Sequence, residues 1–323
     1  MTRCAGPTGK TNRVTGNRAL AYAPRRREAR GVKTFFRGLA FTGLLFLCAF
    51  GGRATEVRRD IEYGRAGGEA LLLDAGIPDG PGPFPVAILV HGGGWTRGDK
   101  AGSDRPGDGA DISPWFATLN RGRYVWFSIN YRLAPAHRWP ACLEDLQTAV
   151  RWVKENAATY RGDAGRIAVF GHSAGGHLAL MLATMSRPDT RVQAVVGFAA
   201  VADHEHKLAA RGGLGDGLQA LLGRPKVITP EALHELRAIS PINRVKAGMP
   251  PVLLLHGDAD KGVAIEQSVA FQRRMKATGG ICDLITLPGA PHGLREWAKA
   301  APNYEDELLA WLNRVFAAAG KAQ

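Results

Sequence analysis

A serine hydroxyl attacks a carbonyl only when a base removes its proton, and Gly171-His172-Ser173-Ala174-Gly175 is arranged to present such a hydroxyl. The five residues follow the apolar run 167–170 and precede a stretch rich in Leu178, Leu180, Met181, Leu182 and Met185. That is the strand, turn and helix context in which a G-x-S-x-G turn pushes a serine out at a helix N-terminus. Glycines on both sides suit a turn too tight for Cβ atoms. An ordinary strand-to-helix turn would explain the five residues in isolation, and the flanking pattern is what assigns Ser173 as nucleophile.

The base must be a histidine held by a carboxylate, and the chain offers nine histidines. His172 and His177 flank the serine on the same turn and helix, and His91 and His256 sit at strand ends. His204 and His206, beside Asp203 and Glu205, have an i, i+2 spacing in a polar loop that does not suit zinc. His292 lies in Pro288-Gly289-Ala290-Pro291-His292-Gly293, directly after the last apolar run, where a side chain can reach back over a sheet. The acid is expected just beyond the run 252–255, in His256-Gly257-Asp258-Ala259-Asp260. Asp260 is preferred as the deeper of the two, and Asp258 reads as a turn residue bonded to its own backbone. The chain order Ser173, Asp260, His292 is that of α/β-hydrolases.

His91-Gly92-Gly93-Gly94-Trp95 supplies the remaining part. Three glycines let main-chain N–H groups crowd a developing oxyanion, each donor lowering the barrier by about 2.7–4 kcal/mol. A tight turn without chemical purpose is the competing explanation. The expected donors are the N–H groups of Gly93, Gly94 and Ala174, with Trp95 and His172 as substrate contacts. No metal or cofactor is required by this chemistry.

Such a site needs a sheet whose strands all end at one edge. The runs 85–90, 124–129, 167–170, 192–198, 252–255 and 282–287 are apolar and short, as strands buried on both faces of a parallel sheet are. Helical periodicity fills the intervals, as with Leu143, Leu146, Val150 and Val153. The alternation predicts one doubly wound, mostly parallel α/β sheet spanning 55–323. The stretch 203–245 breaks the rhythm with Gly212, Gly213, Gly215 and Gly217, and is expected to form a short cap over the carboxyl ends of the strands.

These motifs resemble the α/β-hydrolase carboxylesterases of the hormone-sensitive-lipase-like group, and more closely the bacterial feruloyl and acetyl-xylan esterases. Asn130-Tyr131-Arg132-Leu133-Ala134-Pro135, Trp139-Pro140-Ala141, Glu144-Asp145 and Ser240-Pro241-Ile242 carry the likeness between the motifs, which extends over about residues 60–316. The resemblance implies Ser173 as nucleophile, Asp260 as acid, His292 as base and the glycine loop as oxyanion hole. It implies a small-molecule or polysaccharide-linked ester as substrate. The region 203–222 departs from the pattern and leaves specificity open. Arg132, Glu144 and Asp145 read as a buried ion pair or caps.

The formal charge of +13 first suggests a nucleic-acid or membrane partner. It is concentrated at one end: residues 1–54 carry eleven basic side chains and one acid, and the other 269 residues are close to neutral at net +3. A nucleic-acid partner is thereby disfavoured. Lys33 and Arg37 precede the apolar run 39–50, followed by small residues, the layout of a secretory signal peptide within 32–54. Twelve residues fall short of the roughly 20 that span a bilayer, so a secreted or periplasmic protein is expected. Cys142 and Cys282, the cysteines beyond this leader, are either a disulfide or two buried thiols. An amidase, peptidase or formamidase on the same triad, and a non-catalytic ligand binder of the same fold, are the alternative functions.

Overall fold

The computed structural model describes residues 55–103, 108, 110–185 and 187–320, and the expected signal segment lies outside them. The strands are β1 (Thr55–Ala66), β2 (Glu69–Pro78), β3 (Phe84–Val90), β4 (Val125–Ile129), β5 (Gly162–His172), β6 (Ala194–Phe198), β7 (Val252–Gly257) and β8 (Cys282–Leu287). The helices are α1 (Pro114–Arg121), α2 (Ala141–Asn156), α3 (Ala174–Met185), α4 (Asp216–Leu222), α5 (Pro230–Ile239), α6 (Glu266–Ala277), α7 (Trp297–Ala300) and α8 (Tyr304–Gly320). The strands form one sheet in the order β1-β2-β4-β3-β5-β6-β7-β8, antiparallel where β2 meets its neighbours and parallel elsewhere. This is the mostly parallel, helix-covered sheet of an α/β-hydrolase.

Alternation along the central strands builds two cores, because successive residues point to opposite faces. Ile88, Val90, Val169 and Val195 pack on one face against Leu146, Val150, Leu178 and Leu182 of α2 and α3. Ala87, Leu89, Phe170 and Phe198 pack on the other against Trp115, Trp297, Leu308 and Trp311 of α1, α7 and α8. Trp115 is core: its ring stacks on Phe198 at 4.5 Å.

The hairpin β1–β2 is an addition to the strands expected from apolar runs. Strand β1 lies at the sheet edge and exposes most of Glu56–Asp60, so its charged residues hide its strand character. Its usable signal is Gly67-Gly68, both at positive φ (59° and 84°), the two-residue turn that right-twisted hairpins favour.

The expected ion pair is present. The Arg132 guanidinium donates to both carboxylate oxygens of Asp145, Nη2 to Oδ1 at 2.7 Å and Nε to Oδ2 at 2.9 Å, and the Arg132 N–H donates to Oδ2 at 2.8 Å. It joins the segment after β4 to α2. Cys142 and Cys282 are both free and buried, so the thiol alternative describes the chain, and burial pushes both thiols up to about 12.

Between β6 and β7 the chain leaves the sheet and forms α4 and α5. This stretch is fastened at several points. His177 Nε2 of α3 is 2.8 Å from the Ile239 carbonyl, the Trp139 N–H donates to the Leu221 carbonyl at 2.9 Å, and the Ile242 N–H donates to the Ala202 carbonyl at 3.0 Å. Among the described residues no helix is long and apolar enough to cross a membrane.

Candidate active site

Ser173 sits between β5 and α3 with φ 53°, a left-handed conformation that a residue with a Cβ adopts only when its surroundings enforce it. The enforcement is steric. A Cβ on Gly171 would lie 2.2 Å from the Gly175 carbonyl oxygen, and one on Gly175 would lie 2.2 Å from the Val90 oxygen and 2.5 Å from the His91 oxygen. The strained turn therefore closes only with glycine at both positions. Gly175→Ala is expected to cost about 1–3 kcal/mol or more, since backbone rather than a flexible side chain must yield. An unchanged urea midpoint for that variant would contradict the packing described.

The residues named from the sequence converge above the carboxyl ends of β5, β7 and β8. His292 Nε2 is 3.0 Å from Ser173 Oγ, and its Nδ1 is 2.7 Å from Asp260 Oδ2. A carboxylate only accepts, so Nδ1 carries the hydrogen toward Asp260, which leaves Nε2 as an acceptor for the serine hydroxyl. The Asp260 side chain is fully buried and that of His292 is 25 % exposed. Burial by itself would raise the Asp260 pKa. Hydrogen bonds from His256 and His292, the His292 charge and the Val263 N–H outweigh it and hold the carboxyl well below the usual range.

Asp258 bonds to a neighbouring loop and not, as expected, to its own turn. Its Oδ1 accepts the Gly289 N–H at 2.6 Å and so ties the acid loop to the loop that carries His292. Gly262 packs against the catalytic-loop imidazole: a Cβ there would lie 3.1 Å from Cγ of His292.

A cleft of about 240 Å³ opens beside Ser173 and His292. Gly94, Trp95 and Ala174 border it, with Val201, His204, Arg211 and Asp216 contributed by the chain beyond β6. Gly94 has φ 60° and Trp95 φ 63°. Gly93 shapes the turn that leads into Gly94. It has φ 100°, its carbonyl accepts the N–H groups of Thr96 and Arg97, and a Cβ would meet the Arg97 oxygen at 2.1 Å. A larger cavity of about 600 Å³ lies at the opposite ends of β6 to β8, beside Trp311, and contains none of these residues.

His172 corrects an expectation. It does not line the cleft; its ring is fully buried and its Nε2 is 2.8 Å from the His292 carbonyl, so it supports the His292 loop from beneath. Facing the sheet rather than solvent follows from its place at the end of β5. His204 is likewise a packing residue, its ring T-shaped against His177 at 4.7 Å and 5.6 Å from that of Trp95. Sequence reasoning missed His256, Val201, Arg211, Asp216 and Gln267. Only His256 carries a signal, its i, i+4 spacing from Asp260 across a glycine turn.

A serine on a strand-to-helix elbow, with an acid loop after β7 and a histidine loop after β8 of a mostly parallel sheet, defines an α/β-hydrolase. Within that class the chain belongs to the BD-FAE family, whose model matches residues 73–275. It is similar to Esterase LipC of Mycobacterium tuberculosis, 35% identical over 252 residues that make up 72% of this chain and 59% of that protein. It is 33% identical to Esterase LipQ of the same organism over 246 residues, 72% of this chain and 56% of that protein. The chain thus spans little more than half the length of these curated relatives. Among solved structures it resembles the acetyl ester-xyloside bifunctional hydrolase from Caldicellulosiruptor lactoaceticus, with a TM-score of 0.66 and 25% identity, covering 79% of this chain and 96% of that one.

Proposed function

We propose that this protein is a serine carboxylesterase that hydrolyses short-chain acyl or aryl esters through an acyl-enzyme. One observation carries the reading: the continuous hydrogen-bonded line from Ser173 Oγ through both His292 nitrogens to Asp260, with distances of 3.0 and 2.7 Å. In the forward step Ser173 Oγ bonds to the ester carbonyl carbon while His292 Nε2 takes its proton. The carbonyl oxygen becomes an oxyanion facing the main-chain N–H groups of the Gly93–Gly94 turn and Ala174. His292 then returns the proton to the departing alkoxide as the C–O bond breaks. Water gives a proton to His292 Nε2 as it attacks the acyl carbon. The bond to Ser173 Oγ breaks while the imidazolium returns the proton to that oxygen, and the acid departs. Asp260 keeps the hydrogen on Nδ1 throughout.

The names of the two mycobacterial relatives support ester hydrolysis, and the acetyl-ester hydrolase among the solved structures supports a short acyl group. The confined cleft beside Ser173 favours the same substrate size, and an alcohol joined to polysaccharide is compatible with its open side. The leader within 32–54 supports a secreted or periplasmic location and counts against an intracellular formamidase.

The test is a panel of p-nitrophenyl acetate, butyrate and octanoate, a feruloyl ester, acetylated xylan and p-nitroacetanilide. The acetyl and butyryl esters are expected to exceed octanoate by about tenfold or more in kcat/KM, a span of about 1.4 kcal/mol. Preference for octanoate would move the reading toward a lipase, and faster anilide cleavage toward an amidase. Failure of a fluorophosphonate to label Ser173 would favour the non-catalytic binder.

A further inference from the structure

Asp260 holds more than the triad requires. Its Oδ1 accepts the N–H groups of Gly262 at 2.7 Å and Val263 at 2.9 Å, and its Oδ2 accepts Nδ1–H of His292 at 2.7 Å. A second imidazole meets the same Oδ2: His256 Nε2, at 3.3 Å. That ring is fully buried at the end of β7, with Nε2 also 2.9 Å from the Val263 carbonyl and Nδ1 2.7 Å from Ser268 Oγ of α6. A carbonyl oxygen only accepts, so Nε2 carries a hydrogen, shared between Val263 and Asp260. In the uncharged ring Nδ1 then accepts from the Ser268 hydroxyl, and the tautomer is set by its two neighbours.

We propose that His256 is a positioning residue which, through the shared Oδ2 of Asp260, sets how firmly His292 holds its proton. The proposal rests on reading Ser173, His292 and Asp260 as the triad. A neutral donor on Oδ2 fixes the carboxylate plane and draws negative charge from the oxygen that faces His292. Removing the donor leaves that oxygen more basic and the imidazolium better stabilised.

Arg211 and Asp216 line the same cleft as His292, with Arg211 donating to the His204 carbonyl at 3.2 Å and Asp216 accepting from Gln219 at 3.4 Å. Asp258 is engaged by the Gly289 N–H, Thr286 of β8 stands opposite His256 in the sheet register, and Ser268 faces it from α6. His292 faces Ser173, Asp260 and the His172 ring, whose centroid is 4.9 Å away, while Arg295 beyond it pairs with Asp111 at 2.6 Å.

The test compares His256→Phe, which keeps a ring without its nitrogens, with His256→Gln, which keeps an N–H. In His256→Phe the acid limb of the kcat/KM profile should move up by about half to one pH unit, the scale on which a neighbouring hydrogen bond shifts a titration. His256→Gln should hold the limb near the parent position. A residue that only filled space would alter melting and yield without moving the limb, so an unmoved limb in folded His256→Phe overturns the proposal. If that variant does not fold, Ser268→Ala frees Nδ1 and should displace the limb in the same direction by less; no displacement there overturns it equally. Histidine NMR in a Ser173→Ala background follows the His292 titration curve without any turnover. A curve displaced upward by adding His256→Phe supports the proposal even if no ester is a substrate, and coincident curves refute it.

Discussion

Replacing Ser173 by alanine is expected to lower kcat on p-nitrophenyl acetate by about 10⁴- to 10⁶-fold, the scale seen when a triad serine is removed. The loss is not graded, because His292 Nε2 then has no hydroxyl at 3.0 Å to deprotonate and no acyl-enzyme can form. What survives comes from the oxyanion site and substrate binding alone. The fold should persist. Ser173 already has φ 53°, so alanine meets a similar backbone strain, and the main-chain bond from the Ser173 N–H to the Phe198 carbonyl at 2.9 Å is untouched. The melting temperature should move by no more than about 4 °C, corresponding to about 1 kcal/mol in a domain of this size. A folded variant that keeps more than about one tenth of parental activity would remove Ser173 from the reaction.

The second large effect is loss of stability in mild acid. His91, His177 and His204 are all buried, and burial favours the uncharged ring. Burial pushes His91 and His177 down to about 4, against a smaller upward pull from the Gly92 and Ile239 carbonyls, and lowers His204 well below the ordinary value. In the unfolded chain these rings titrate near pH 6.5. Between about pH 6.5 and 4 the unfolded state therefore binds more protons than the folded one, and stability falls as pH falls. Each ring contributes a slope of about 1.4 kcal/mol per pH unit, or about 4 kcal/mol per unit for the three together. Asp260 does not set this window. Its carboxyl is depressed, so its contribution is intact above the unfolded carboxylate value near 3.9 and disappears only at lower pH. Against a total stability of about 5–15 kcal/mol, the histidine slope is enough to unfold the protein between about pH 5 and 4. Urea midpoints at a series of pH values measure it directly. A midpoint that stays level from about pH 6.5 to 5 would mean these imidazoles are protonated in the folded state.

The two effects are separable in an activity profile. Loss of turnover from protonating His292 reverses at once when pH is restored, whereas acid unfolding also removes secondary structure and follows the urea midpoint. Measuring far-ultraviolet circular dichroism beside initial rates assigns each part of the acid limb.

The residue chemistry was legible in the amino-acid order because close main-chain approach leaves little choice of residue. Gly171 and Gly175 are dictated by carbonyl oxygens 2.2 Å from where a Cβ would stand, and that constraint marks Ser173 before any fold is known. The apolar runs that became β3, β4, β6 and β7 were equally plain, since strands covered on both faces tolerate few polar side chains, whereas β8 at the sheet edge leaves Asp283 and Thr286 exposed. Strand β1 was hidden for the opposite reason, its edge position leaving its charged side chains in water.

Tertiary structure alone decided which histidines do what. His172, His204 and His256 stand close to the motifs along the chain, yet burial turned the first two into supports and set the third against Asp260. The stretch beyond β6 that walls the cleft with Val201, Arg211 and Asp216 carries no pattern, because its shape comes from scattered fastenings such as His177 to Ile239. Local sequence records constraints between near neighbours and the period of burial. It does not record distances between loops, which are set only when the sheet brings the ends of β5, β7 and β8 to one edge.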